Sequence, residues 1–196
     1  MEQTIEKLRK NGFEVTRFKT GAEAADYIAQ NLHGKTVGIG GSMTVRGLNI
    51  YDRIKDENTV FWHMIEPSDE TRVKASSAEV YITSANAISA EGFIINIDGQ
   101  GNRVAGTLMK KDKVYLVVGK NKLCGAFDEA LERARNVAAP QNAKRLERKT
   151  PCAAAGERCY DCASPERICC ALVVFWRKPF WCESMEILLI DEELGY

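Results

Sequence analysis

The stretch KTVGIGGSMTVRGLNIYDRI, residues 35–54, sets the grammar of the chain. KTVGIG is a compact apolar run that suits a buried strand, GGSMT is a turn, and the segment from Thr44 to Ile54 has helical spacing. Gly38, Gly40 and Gly41 permit tight curvature, while Ser42 or Thr44 has the side-chain oxygen needed to cap the helix that follows. Strand, glycine turn, helix is the first half of a βαβ unit.

The same grammar extends in both directions. Upstream, Met1–Lys10 places Ile5 and Leu8 on one helical face with Gly12 as a stop, and Phe13–Phe18 alternates as a strand. Thr20 and Glu23 then form a capping box for a helix carrying Ala25, Ile28, Ala29 and Leu32. Downstream, strands are expected at 59–64, 80–83, 93–97, 113–118, 171–176 and 186–190, and helices at 68–77, 127–138 and 140–146. In the 127–138 helix Ala130, Leu131, Ala134 and Val137 should point inward. Strands apolar on both faces and alternating with helices predict an α/β domain, a mainly parallel sheet covered on both faces. No linker, repeat or low-complexity tract divides the 196 residues, so one domain spans 1–196, with a helical region at 1–33 and a Cys-rich loop at 150–170.

Basic and acidic residues balance at 27 each, which gives no excess of charge for a nucleic-acid backbone or a bilayer surface. Small-molecule or protein partners are the expectation, and a homo-oligomer is compatible with it. The first eighteen residues are charged and amphipathic, and no apolar run reaches the length of a membrane span, so a soluble, cytoplasmic protein is expected.

Two segments are candidates for chemistry. In the first, VGIGGSMT, an anion suits the open amides of Gly40, Gly41, Ser42, Met43 and Thr44; the competing reading is a tight turn whose glycines only serve packing. The second, SANAISAEGFIINIDGQGNRVAG (84–106), flanks an apolar strand with Asn86, Ser89 and Glu91 on one side and Asp98 and Arg103 on the other. Along an extended strand Glu91 and Asp98 stand roughly 20 Å apart at about 3.3 Å per residue, so only one end faces the glycine turn. Asp-Gly-x-Gly is ordinary turn chemistry, and Arg103 reads more simply as a surface ion pair. The Ser84–Gly92 end is therefore the expected site, with Glu91 as its carboxylate.

VGIGGSMT, ITSANAISAEGFIINIDGQGNRVA, VVGKNK, AAPQNAKRLERKTPC and CYDCASPERIC, in that order, resemble the LUD-domain family, the lactate utilisation proteins. The resemblance runs from about Gly34 to the last strand and is to a small stand-alone member. It implies a fold like that of the NagB/RpiA/CoA-transferase group, with an anion at the glycine turn and a polar residue of the 85–92 segment in the chemistry, and it raises Glu91 and Asn86 accordingly. Asn121 and Lys122 match a family segment, and the resemblance implies contact with an anion; from the residues alone they read as a solvated loop. Fold does not fix reaction. The family connection implies oxidation of lactate to pyruvate beside other subunits.

Cysteine is concentrated. Five of seven lie between 152 and 170, and Cys152, Cys159, Cys162 and Cys169 are spaced C-x6-C-x2-C-x6-C. Four thiolates suit zinc or an iron–sulfur cluster. Idle reduced thiols and a redox-active disulfide are the alternatives, and Cys170, adjacent to Cys169 in a strand, should face the other way. Cys124 and Cys182 read as packing residues. His33 reads as a helix-end residue, His63 as a strand residue satisfied by its neighbours, and Trp176, Phe180 and Trp181 of FWRKPFW (175–181) as a hairpin packed on the core, with an exposed partner surface as the alternative.

Three functions fit these features. One is a subunit that binds a small anionic metabolite and supports 2-hydroxy-acid utilisation, with an iron–sulfur or flavin oxidoreductase as partner. Another is an enzyme like a phosphosugar isomerase or CoA transferase using Glu91. The third is a non-catalytic redox scaffold.

Overall fold

A computed structural model describes residues 1–196. Six strands form one sheet: β1 (Glu14–Phe18), β2 (Thr36–Ile39), β3 (Thr59–Trp62), β4 (Val80–Thr83), β7 (Lys111–Gly119) and β9 (Cys182–Ile190), in the order β1-β9-β7-β4-β2-β3. Every pairing in it is parallel. A second, antiparallel sheet holds β5 (Ala87–Ile88), β6 (Ile94–Asp98) and β8 (Ala171–Phe175).

The central strands are apolar on both faces because both faces are covered. Val114, Leu116 and Val118 of β7 join Ile187 and Leu189 of β9 in one core with Ile5 and Leu8 of α1 (Glu2–Lys10) and with Ile88, Ile94 and Phe175 of the small sheet. The intervening Tyr115, Val117, Leu188 and Ile190 pack on the other face against α2 (Gly21–Asn31), α3 (Met43–Gly47) and α4 (Ile50–Ile54). Each aliphatic side chain enclosed in this way contributes about 1.5–3 kcal/mol of burial. α5 (Asp69–Ser77) lies so close to β2 that a Cβ on Gly38 would collide with the Ala75 carbonyl. α6 (Asn102–Leu108), α7 (Phe127–Arg133), α8 (Ala139–Arg145) and α9 (Pro151–Ala155) complete the helices. The Thr20–Glu23 capping box is formed as expected.

Several local expectations change. The 44–54 helix is broken at Asn49, whose φ of 51° ends α3 and starts α4; Asn tolerates this left-handed conformation better than most side chains. The strand at 93–97 leaves the parallel sheet, since only five residues separate it from β5 and a parallel crossover needs a dozen or more. Beyond it, Asp98–Arg103 is more than a turn. Asp98 accepts from the amides of Gly101 and Val104, each at 3.0 Å, and thereby starts α6. Val137 is exposed and Ala138 is buried in its place, because a π turn over Ala134–Ala138 joins α7 to α8 and rotates the inward face. The FWRKPFW aromatics are not packed on the core: Phe180 is 94% exposed and Trp176 and Trp181 are largely so. Only Phe175 of that segment is buried. No helix is long and apolar enough to cross a membrane.

Candidate functional site

In a parallel sheet all strands end at one edge, so the loops that leave them converge. Here the segments after β2, β3, β4, β7 and β9 meet the open end of the β5–β6 hairpin and α8 around a cavity of about 350 Å³. That volume matches a metabolite-sized ligand.

Its floor is a buried lysine. Lys122 ends a 3-10 turn directly after β7 and is 3% exposed. Its Nζ is 2.8 Å from Thr44 Oγ1 and 2.8 Å from Ser84 Oγ, both themselves buried. Burial, reinforced by the charges of Arg133 and Arg103, pushes its pKa down to about 7. The solvated-loop reading of Lys122 is thus overturned.

Arg103 forms one wall. It extends inward, donating to Asn96 Oδ1 at 2.5 Å, Asn86 Oδ1 at 3.2 Å and the carbonyls of Ile97 and Ser84 at 2.6 and 3.3 Å. It pairs with no surface carboxylate; the polar ends of β4 and β6 consume its donors instead. Arg72 from α5, Arg145 from α8 and Arg148 also line the cavity, and Arg72 Nε is buried without a hydrogen-bond partner. Arg72 Nη1 is paired with Asp69 at 3.0 Å, and the one carboxylate among the lining residues is Asp98, already engaged by backbone amides. His63, expected to be a satisfied strand residue, instead follows β3 into the cavity, and burial, with the Arg72 charge, holds its pKa below the usual value.

Of the residues singled out in the sequence, Gly41, Ser42, Met43, Thr44, Asn86 and Lys122 all line this cavity. Gly40 sits behind it: its N–H bonds Ile82 O at 2.9 Å, and a Cβ there would come within 2.8 Å of Thr83 Oγ1. Ser42 Oγ accepts from Val45 N at 3.2 Å, so it caps α3. Asn121 points elsewhere and accepts from Leu194 N at 3.1 Å, holding the 191–196 segment. Ser89 and Glu91 lie outside the cavity. Ala87 pairs with Ile95 and Ile88 with Ile94, so residues 89–93 form the hairpin tip, away from the end where Asn86 and Ile97 line the pocket. At that tip Asn11 of the α1 C-cap donates to Glu91 O at 3.0 Å, the Glu91 side chain is exposed, and a hydrogen bond from Ser89 lowers its pKa. The placement of Glu91 opposite the glycine turn is therefore corrected: the other end of the strand faces it.

A family model for the LUD domain matches residues 1–189. The chain belongs to the LUD-domain family. A crystal structure of a DUF162 family protein from Deinococcus radiodurans resembles it with a TM-score of 0.54 over 97% of this chain and 95% of that one. At 15% identity this likeness concerns the fold. No functionally curated protein matches the chain.

The thiols of this LUD-domain protein gather in a second place. Cys152, Cys159, Cys162 and Cys169 all line one small cavity of about 10 Å³, and Ala139 and Ile168 form part of the wall of both cavities. Thr150 caps α9 and lies with its Oγ1 3.3 Å from Cys152 Sγ; Asp161 N donates to Cys159 Sγ at 3.3 Å. Cys170 is exposed and bonds the Arg167 carbonyl. All seven thiols are free, and no three Cys, His, Asp or Glu side chains stand close enough together to ligate an ion in this arrangement.

Proposed function

We propose that this LUD-family protein binds a small anionic metabolite, a carboxylate or phosphorylated compound, in the cavity at the carboxyl edge of its parallel sheet. The observation that carries this reading is the lining: Arg72, Arg103, Arg145 and Arg148 against a single, already engaged carboxylate. Arg72, with a buried Nε that has no partner in the protein, is a donor waiting for an acceptor. Gly41 of the glycine turn and the Ser42–Thr44 segment also line the cavity. The link to lactate and other 2-hydroxy acids rests on family membership and agrees in charge with the lining. Thermal unfolding with lactate, pyruvate, sugar phosphates and CoA esters tests it. A ligand that binds only the folded state raises stability by mass action, about 2.7 kcal/mol at one hundred times its Kd. Absence of a shift with every one of these anions would defeat the reading.

A second reading concerns the thiols. Four soft sulfur donors around one cavity suit a thiophilic ion. Cys152, Cys159, Cys162 and Cys169 would hold it after the sulfurs close in, and a zinc ion bound there would pin the 150–170 segment against α8. Metal analysis and a visible spectrum after anaerobic purification decide between one equivalent of colourless zinc, a coloured iron–sulfide centre, and neither.

A further inference from the structure

We propose that Ser84 and Lys122 form a nucleophile–base pair that transfers an acyl group from a small anionic ester or thioester, an inference that rests on the anion cavity described above. Thr44 Oγ1 lies 3.2 Å from the Leu194 carbonyl, to which only its own hydroxyl proton can be donated. With that proton committed, Thr44 can only accept from Lys122 Nζ at 2.8 Å. This fixes the direction of one amine N–H. The other short contact of the amine is Ser84 Oγ, also at 2.8 Å, whereas the alternative acceptors for the Ser84 proton, Thr44 Oγ1 and Ala85 O, are at 3.5 and 3.4 Å. When the amine is neutral, its lone pair is therefore the best acceptor for the Ser84 O–H, the arrangement of a general base on a nucleophile.

The surroundings support a neutral amine. No carboxylate is bonded to Lys122; Arg103 on α6 and Arg133 on α7 are the charged groups that act on it. Arg103 Nη1 also holds the Ser84 carbonyl at 3.3 Å, fixing the backbone of the nucleophile at the end of β4. Both Ser84 and Lys122 line the cavity, so the reacting atoms meet the space where the anion binds.

The chemistry balances without an outside oxidant or metal. Ser84 Oγ forms a bond to the substrate carbonyl carbon while its proton passes to Lys122 Nζ. Collapse of the tetrahedral adduct breaks the bond to the alkoxide or thiolate, which takes that proton from the ammonium. Water then attacks the acyl-serine, gives a proton to Lys122, and releases the carboxylic acid as the proton returns to Ser84 Oγ. Arg72, Arg145 and Arg148 are placed to hold the anionic end of the acyl group.

The full-length protein treated with mono-p-nitrophenyl succinate, an activated ester with a free carboxylate, tests this. The expected result is a burst of p-nitrophenolate and one succinyl group, mapped to Ser84. Ser84→Ala abolishes the label, and Lys122→Met slows acylation by about 100-fold or more, the usual effect of losing a general base. Wild-type acylation rises with pH through an inflection near the value of about 7 that Lys122 has in the fold. If Lys122→Met does not fold, this pH profile decides. No label, a label on Lys122 or any other residue, or a rate at Ser84 that ignores pH overturns the proposal. Unreactive succinate, added to Ser84→Ala in a thermal melt, reports the anion cavity separately. A shift without wild-type acylation defeats the pair alone, and acylation without a shift defeats the anion reading alone.

Discussion

Asn86 and Arg103 meet in the angle between the two sheets: Asn86 Oδ1 accepts from Arg103 Nη2 at 3.2 Å and from Ile97 N at 2.7 Å. One amide oxygen thus ties the exit of β4, the open end of the β5–β6 hairpin and α6 into a single polar joint in the wall of the cavity.

Replacing Arg103 by Met leaves the oxygens of Asn86, Asn96, Ile97 and Ser84 short of their donor. Buried acceptors that lose a charged partner cost about 1–3 kcal/mol. A loss of about 2–4 kcal/mol in urea unfolding is expected. Arg103→Lys recovers only part of it, because one ammonium cannot span acceptors arranged for a planar fork.

How far the sequence discloses this joint depends on sequence separation. The Thr20 cap, the glycine turn and the alternation of β7 are set by neighbours within a few residues, and each is legible. The parallel sheet follows from strands that are apolar on both faces. The polar joint depends on where a five-residue hairpin tip aims each end of one strand, which local pattern leaves open. As strand length requires, only one end of 91–98 faces the glycine turn. The end favoured by the sequence is the wrong one because Glu91 lies at the tip, while Arg103, read as a surface residue, is drawn inward by the acceptors of β4 and β6. His63 and Arg72 of α5 carry no motif at all, and Arg145 stands in the AAPQNAKRLERKTPC segment without any sign of where it points; they become a site only when the fold assembles them.

Glu91→Ala should therefore leave anion-induced stabilisation unchanged within about twofold in Kd, since the side chain is exposed and outside the cavity. Arg145→Glu, by contrast, puts a negative charge on the lining and should weaken binding about tenfold or more, with a residual effect that salt screens. Titration calorimetry with the anion that gives the largest thermal shift compares the two; equal losses would reassign the site.

The loop between β8 and β9 is held to the body through Lys178: its N donates to Asn11 O at 3.0 Å, and its side-chain Nζ donates to Cys182 O at 2.5 Å. Trp176, Phe180 and Trp181 project from it into solvent. Substituting these three by Ser should change stability by no more than about 0.5 kcal/mol. Fluorescence should shift to the blue and lose most of its quenching by iodide, leaving the buried Trp62 as the emitter. A large drop in melting temperature would show instead that the aromatics are packed.

Lys122 also makes stability depend on pH with a definite sign. Its pKa falls from 10.5 to about 7 on folding, so between these values the unfolded chain holds the extra proton and the folded one does not. Stability linked to this group therefore rises with pH, by at most about 1.4 kcal/mol per unit. The penalty is complete below about pH 7 and vanishes above the unfolded value. Lys122→Met removes the titration, while Cys124, Cys182 and Tyr115, which also titrate at high pH, remain in both proteins. The difference between variant and wild type isolates the lysine. In urea melts the stability of Lys122→Met relative to wild type should decline steadily as pH is raised from about 7 to about 10, by a few kcal/mol in all. A flat difference would mean that the amine keeps its proton in the fold, and with it Ser84 would lose its base.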